Sequence, residues 1–212
     1  MNTIADIRKD YRKSALLEAD LAADPFAQFT RWWEEAIHSE VDEVNAMTLA
    51  TAAPDGQPTA RIVLLKGFDA KGFVFYTNYN SEKGRTIAAN PKVALVFFWK
   101  ELERQVRIEG TVSKTSEADS DAYFNSRPAA SRIGACISPQ SAIIPDRGTL
   151  EKKFTELETK FSDGNIPRPE HWGGYIVSPT LFEFWQGRSN RLHDRLQYTK
   201  RNDGWAIERL AP

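Results

Sequence analysis

The sequence predicts a mainly β fold with interspersed helices (α+β), its strands forming an antiparallel barrel. About eight short apolar or alternating runs are set apart by turn residues, mostly in hairpin order. Helical patterns fall between groups of strands, without the regular β-α alternation of a doubly wound sheet. No repeat, low-complexity tract or linker-like shift divides residues 24–212, so that span is expected to be one domain, preceded by a mobile arm over residues 1–23.

The arm is charged and weakly periodic. Asp24-Pro25 then supplies an N-cap and a proline at the first helical position. The stripe Phe26, Phe29, Trp33 and Ile37 predicts the buried face of that helix. MTLATAA, the turn Pro54-Asp55-Gly56 and TARIVLLK predict two strands, and a second turn around Asp69–Gly72 leads to FVFYTN, giving three strands in meander order. Residues 81–90 suit a short helix stopped by Pro91. VALVFFW reads as a buried strand. In the next strand Leu102, Val106, Ile108 and Val112 alternate with Glu103, Gln105, Arg107 and Glu109, so one face is wet or lines a site.

Ser116 and Asp119 resemble a capping box, opening a helix through Tyr123 that Pro128 limits. A short helix over 129–137 and a loop over 138–148 follow. Leu150, Phe154, Leu157 and Phe161 mark one face of a further helix. GGYIVS, LFEFWQG, RLHDRLQYT and WAIERL read as closing strands, with Asn202-Asp203-Gly204 as the hairpin turn between the last two.

At 212 residues, 41% hydrophobic and 27% charged, the chain has the composition of an ordinary globular protein. A formal net charge of −1 gives no global field toward nucleic acid or an anionic membrane, so anion recognition falls to local clusters. Cys136, the only cysteine, excludes an internal disulfide, fits a reducing compartment and reads as a small buried residue. The polar N-terminus lacks the apolar stretch of a signal peptide, and the longest apolar run, residues 93–99, is too short to span a bilayer. A cytoplasmic protein is expected.

Four constellations could carry chemistry. Arg191, His193 and Arg195, spaced by two, would share one strand face and suit an anionic planar ligand, with Trp185-Gln186-Gly187 beside them; a solvated face reads equally well. Arg61 and Lys66 bracket an apolar run at odd separation, which puts them on opposite faces, and snorkelling strand-end charges fit as well. Tyr76-Thr77 precedes Ser81 and Lys83 at a helix start, a phosphate site or ordinary capping. Tyr123, Arg127 and Ser131, spaced by four, suit an aromatic phosphate or surface pairing. Gln140-Ser141 adds uncharged polar groups. GxGxxG, GxxxxGK[ST] and GxSxG are absent. His38, a surface residue near a helix end, His171 and His193 are too scattered for a zinc site, so no metal is expected.

RIVLLK, FYTN, LERQV, YFNSRP, SRIGA, SPQS, FWQG, RLHDR and the terminal ERLAP occur in this order over nearly the whole chain. Together they resemble the pyridoxine/pyridoxamine 5′-phosphate oxidase family. The resemblance implies an FMN-binding split β-barrel and a homodimer with FMN in two clefts at the interface. It implies FMN contacts from Arg61, Ile62, Val63, Leu64, Leu65, Lys66, Tyr76, Thr77, Lys83, Gln105, Gln140, Ser141, Trp185 and Arg195. Substrate contacts are implied for Lys66, Tyr123, Arg127 and Ser131 around a phosphate, and for Arg191 and His193, the catalytic pair, near the ring. Arg8 and Tyr11 match an arm that closes over the site. Glu82 stands where many relatives carry a basic residue, and an acid there weakens phosphate binding unless it points to solvent. The implied reaction is oxidation of pyridoxamine 5′-phosphate or pyridoxine 5′-phosphate by oxygen. Another flavin enzyme on the same barrel, a non-catalytic carrier of FMN or pyridoxal phosphate, and an OB-like nucleic-acid binder are the competing readings. The near-neutral charge disfavours the last of these.

Overall fold

A computed structural model describes residues 3–6 and 10–212. Helix α1 (Pro25–His38) opens as the sequence predicts, with the Asp24 carboxylate accepting from the Ala27 amide. Its buried face turns slightly from the predicted stripe: Phe29, Trp32 and Ala36 are buried, whereas Ile37 is 50% exposed. Phe29 has no exposed surface and makes edge contacts with Phe68, Phe73 and Phe97, ring centres 4.8, 4.9 and 5.2 Å apart. One apolar face of one helix thus plugs the concave side of the sheet.

Among the described residues the sheet has nine antiparallel strands: β1 (Ala46–Ala52), β2 (Pro58–Leu64), β3 (Gly67–Asp69), β4 (Gly72–Asn78), β5 (Lys92–Trp99), β6 (Arg104–Lys114), β7 (Trp172–Gln186), β8 (Asp194–Arg201) and β9 (Gly204–Arg209). The order is β2-β1-β5-β6-β7-β4-β3, with β8 on β7 and β9 on β8. It curls into the split barrel that the sequence predicts. The expected three-strand meander ends after β1 and β2. The chain leaves that hairpin at Leu65, whose amide donates to Asn45, and β4 crosses to pair with β7. The Lys66 amide donates to Val74, so the two ends of the curl meet there.

GGYIVS and LFEFWQG, expected as separate strands, are one 15-residue strand, β7. Pro179 interrupts neither ladder. On one side β4 pairs only as far as Val177 and β8 begins at Leu181, so no donor is needed between them. On the other side the register shift at Glu109/Gly110 leaves Thr180, next to the proline on β7, as the extra residue of a bulge. RLHDR also differs from expectation: β8 begins only at Asp194, and Arg191 ends a short 3-10 turn in the left-handed region, φ 61°. Leu102 and Glu103 likewise precede β6, which starts at Arg104.

Helices α2 (Glu82–Ala89), α3 (Glu117–Ser126), α4 (Ala129–Ile137) and α5 (Gly148–Lys160) flank the barrel. Ser116 caps α3 by accepting from the Asp119 amide, as its spacing predicts. A second apolar cluster around Phe124, Ile133, Ile166 and Trp172 joins α3, α4 and α5 to the start of β7. Cys136 is half-buried beside it, where full burial was expected, because its end of α4 lies at the rim of that cluster. Among the described residues no helix is long and apolar enough to cross a membrane.

The bulge yields a prediction. A Cβ at Gly110 would stand 2.4 Å from the Ser178 carbonyl oxygen. Gly110→Ala should therefore cost about 1–3 kcal/mol in urea unfolding through backbone displacement. An unchanged midpoint would contradict the close approach.

Candidate functional site

The outward face of β2 carries Ile62 and Leu64, 66% and 38% exposed, with Lys66 just beyond the strand. From β4, Tyr76 and Thr77 reach the same hollow, and α2 presents Lys83 in its first turn, its N-terminus capped by Ser81. Tyr123 on α3 stacks on Tyr76 with ring centres 4.0 Å apart and planes 21° apart, and Trp172 continues the stack at 5.6 Å from Tyr76. Arg127 is held extended before Pro128, φ −79° and ψ 150°, which swings its guanidinium to 4.7 Å from the Trp172 ring centre. Ser131 follows on α4. The Gln140 side-chain oxygen accepts from the Thr77 hydroxyl at 3.1 Å and the Lys83 ammonium at 3.3 Å. These groups, with Val63, line a cavity of about 640 Å³.

An adjoining hollow of about 400 Å³ is lined by Thr59, Ala60, Arg61, Glu82, Lys83 and Ser141, the last in the left-handed region at φ 72°. Arg61 is anchored by the Thr51 and Thr59 hydroxyls at 2.8 and 2.7 Å. Contrary to simple alternation, Arg61 and Lys66 still serve neighbouring hollows, because the strand ends between them. Burial, and next the positive charge of Arg61, push the Lys83 ammonium below its ordinary value, with Glu82 opposing. Burial also lowers Arg127. Arg127 Nη1 and Arg132 Nε are buried without a hydrogen-bond partner. Arg61, Lys66, Lys83 and Arg127 form no salt bridge among the described residues. Cations gathered without a salt-bridging carboxylate among the described residues, with orphaned N–H groups, are a donor set for an anion. Glu82 is exposed, so it leaves that set largely intact.

A second group lies on the outward face of β6, β7 and β8. Gln105, Trp185 and Arg195 are in register across these strands. Glu183, 3% exposed, accepts from Arg195 Nε at 2.7 Å and from Arg107 Nη2 at 2.7 Å. Burial would raise its carboxyl, but the hydrogen bonds from Arg195 and Arg107 outweigh that and hold it below its ordinary value. His193 lies 4.6 Å from Trp185, and Tyr11 meets both rings edge-on at 6.0 and 5.8 Å. The Arg188 amide donates to His193 Nδ1 at 3.0 Å. An amide N–H can only donate, so Nδ1 is unprotonated and the neutral ring carries its proton on Nε2. Arg191 is exposed on the neighbouring turn rather than on a shared strand face with His193 and Arg195.

The predicted residues therefore fall into two groups. Ile62, Val63, Leu64, Lys66, Tyr76, Thr77, Lys83, Tyr123, Arg127, Ser131 and Gln140 surround the larger cavity, with Arg61 and Ser141 beside it. Gln105, Trp185, His193, Arg195 and Tyr11 form a wall. The two groups share no lining residue: Trp172, at the start of β7, belongs to the cavity, and Trp185, near the end of the same strand, belongs to the wall. Leu65 is 4% exposed and belongs to the core cluster, while its backbone holds the strand end. Arg8 lies outside the described residues. Trp172, Arg132 and Glu183 were not singled out in the sequence. Trp172 beside Gly173-Gly174 was the one available signal, an aromatic next to backbone that must pack closely.

Residues 33–161 match the family described as pyridoxamine 5′-phosphate oxidase. Residues 172–212 match the pyridoxine 5′-phosphate oxidase C-terminal dimerisation region. The chain is 59% identical over 211 residues to the pyridoxine/pyridoxamine 5′-phosphate oxidase of Trichormus variabilis, covering 99% of both chains. It is 59% identical over 213 residues to that of Ralstonia pickettii, covering 100% of both. Among solved structures, PhzG from Burkholderia lata 383, in complex with tetrahydrophenazine-1-carboxylic acid, superposes with a TM-score of 0.88 and 30% identity, over 93% of this chain and 98% of that one. An FMN-binding protein from Nostoc punctiforme shares the fold, with a TM-score of 0.69 at 18% identity, over 91% of this chain and 100% of that one.

The Glu183 bridge has a pH signature. Its carboxyl is depressed, so its contribution is complete above the ordinary value of 4.5 and is lost as pH falls through the folded value. The stability gap between the unsubstituted protein and Glu183→Gln should shrink from about pH 6 to about pH 3 in urea titrations. A gap that widens on acidification would contradict the assignment.

Proposed function

This chain belongs to the pyridoxamine 5′-phosphate oxidase family, and on that premise we propose that it oxidises pyridoxamine 5′-phosphate or pyridoxine 5′-phosphate to pyridoxal 5′-phosphate, with oxygen as acceptor. FMN is the cofactor. The carrying observation is the Arg127 guanidinium, stacked on Trp172 with a buried, unpartnered Nη1, beside Tyr123, Ser131 and Lys66. A dianionic phosphate on a flat ring satisfies both halves of that environment.

The donor set also suits FMN. Arg61 and Lys83 converge beside Ser141 without a compensating salt bridge among the described residues, which suits the flavin phosphate, and exposed Ile62 and Leu64 suit its ring. Gln105, Trp185 and Arg195 are the remaining contacts that this reading requires. They lie on the far wall, so we propose a homodimer in which the wall of one copy closes the cavity of the other. The match of residues 172–212 to a dimerisation region supports that arrangement.

FMN, when bound, supplies a hydride acceptor that oxygen reoxidises with release of hydrogen peroxide. The protein's part is orientation: Lys66, Tyr123, Arg127 and Ser131 hold the substrate phosphate, and the Trp185 wall limits where the ring can lie. Arg191 steers the substrate. His193, with Nδ1 occupied by the Arg188 amide, serves as an Nε2–H donor to substrate rather than as a base through Nδ1. For the amine substrate, the imine product is hydrolysed to aldehyde and ammonia.

The likeness to PhzG supports a second reading, a tricyclic carboxylic acid as substrate. The phosphate-sized cation set around Arg127 favours the phosphorylated pyridine. Purified protein should be yellow, consume oxygen with pyridoxine phosphate or pyridoxamine phosphate, and release the aldehyde. Bound flavin without turnover of either would sink the oxidase reading and favour a carrier. Arg191→Ala should lower kcat/KM by at least about tenfold while retaining FMN, and Arg61→Ala should chiefly weaken FMN retention. Equal losses in both assays would contradict this division of labour.

A further inference from the structure

Glu103 is 2% exposed and sits in the left-handed region, φ 55°, in the turn before β6. A turn there is met more easily by Gly or Asn, so a buried glutamate is an expensive choice. Its Oε2 accepts from two consecutive backbone amides of the N-terminal segment, Arg12 at 2.9 Å and Lys13 at 3.1 Å. Its own carbonyl accepts from the Gly187 amide at 2.8 Å. Glu103 therefore grips the N-terminal segment through its side chain and the loop after β7 through its backbone.

Tyr11, the residue before those two amides, lies directly on that loop. A Cβ at Gly187 would stand 2.7 to 2.9 Å from Tyr11 atoms, so the glycine leaves a seat for the ring. Seated there, Tyr11 meets Trp185 and His193 edge-on. A second grip holds the segment further along, where the Leu16 amide donates to Asp194 at 3.1 Å. Nearer by, the Lys13 ammonium donates to the Glu101 carbonyl at 2.6 Å, while the Glu103 carboxylate holds the backbone amides that follow Tyr11.

We propose that Glu103 is a positioning residue for substrate binding: its carboxylate sets the register of the N-terminal segment so that Tyr11 closes on the Trp185–His193 wall. It acts through Tyr11 and touches no substrate. The inference rests on the oxidase reading for its functional consequence, but the grip itself can be measured independently.

Arg12 and Lys13 are trypsin sites whose amides the carboxylate holds. In the FMN-loaded protein, Glu103→Ala should speed cleavage after these residues about tenfold or more, whereas Glu103→Gln, which keeps an acceptor oxygen, should stay within about threefold. Glu103→Ala should also weaken pyridoxamine 5′-phosphate binding about fivefold or more, read by quenching of tryptophan fluorescence, with FMN retention unchanged. Combined with Tyr11→Ala, it should weaken binding no further than Tyr11→Ala alone, since one residue acts through the other. Unchanged trypsin rates, or binding losses that multiply in the double variant, would overturn the proposal. If the unsubstituted protein binds no pyridoxamine 5′-phosphate, the oxidase reading fails instead. The trypsin rates then decide on the grip alone, acceleration supporting it and no change overturning it.

Discussion

The continuous strand β7 is the constraint on which the molecule depends. Trp172 begins it and Gln186 ends it, and along its length it pairs with β6 on one side and with β4 and then β8 on the other. Trp172 stacks into the cavity, whereas Trp185 belongs to the wall. One continuous strand therefore holds these two aromatics near its opposite ends, which is the basis for proposing that two copies combine to complete a site. The Gly110 bulge and the gap between β4 and β8 allow Pro179 to sit inside this spine without breaking it.

The two groups treat charge in opposite ways, and that contrast divides scaffold from site. In the wall, Glu183 neutralises Arg107 and Arg195, and Asp194 neutralises Arg188 and Arg209. Those guanidiniums are fixed before any ligand arrives. Around the cavity, Arg61, Lys66, Lys83 and Arg127 lack such pairing among the described residues, and burial penalises Lys83 and Arg127 as cations. On the proposed reading, an entering phosphate would gain interactions that the protein leaves unmade, which is how preorganised anion sites achieve selectivity.

Local chemistry was readable in the sequence where it acts over a few residues. The Asp24-Pro25 start of α1, the Ser116 cap of α3 and the turn at Asn202-Asp203 depend on neighbours within one turn of chain. Features that depend on distant strands were not readable. GGYIVS and LFEFWQG read as separate strands because the bulge that carries one strand through Pro179 exists only in the pairing with β6. Arg191, His193 and Arg195 looked like one strand face because the left-handed residues Asn190 and Arg191, which delay β8, have no glycine to announce them. The division of the candidate residues into two distant groups follows from sheet order, with β7 joined to β4 and β6, which local periodicity does not encode. Most site residues stood out in local constellations, but their roles, and residues such as Gln105 and Tyr11, were reachable only through the family resemblance, since Arg127 or Gln140 taken alone fits a surface role equally well.

The central claim is that a working site is made from the cavity of one copy and the wall of another. Subunit mixing tests it most directly. Arg127→Ala disables the cavity, and Arg191→Ala disables the turn beside the wall. Each variant alone should be nearly inactive, and after dissociation and statistical reassociation of an equal mixture, activity should recover to about a quarter of the unsubstituted value, because half the dimers are mixed and each holds one intact site. No recovery, despite proven exchange of subunits, would mean that each site is completed within one chain and would contradict the account.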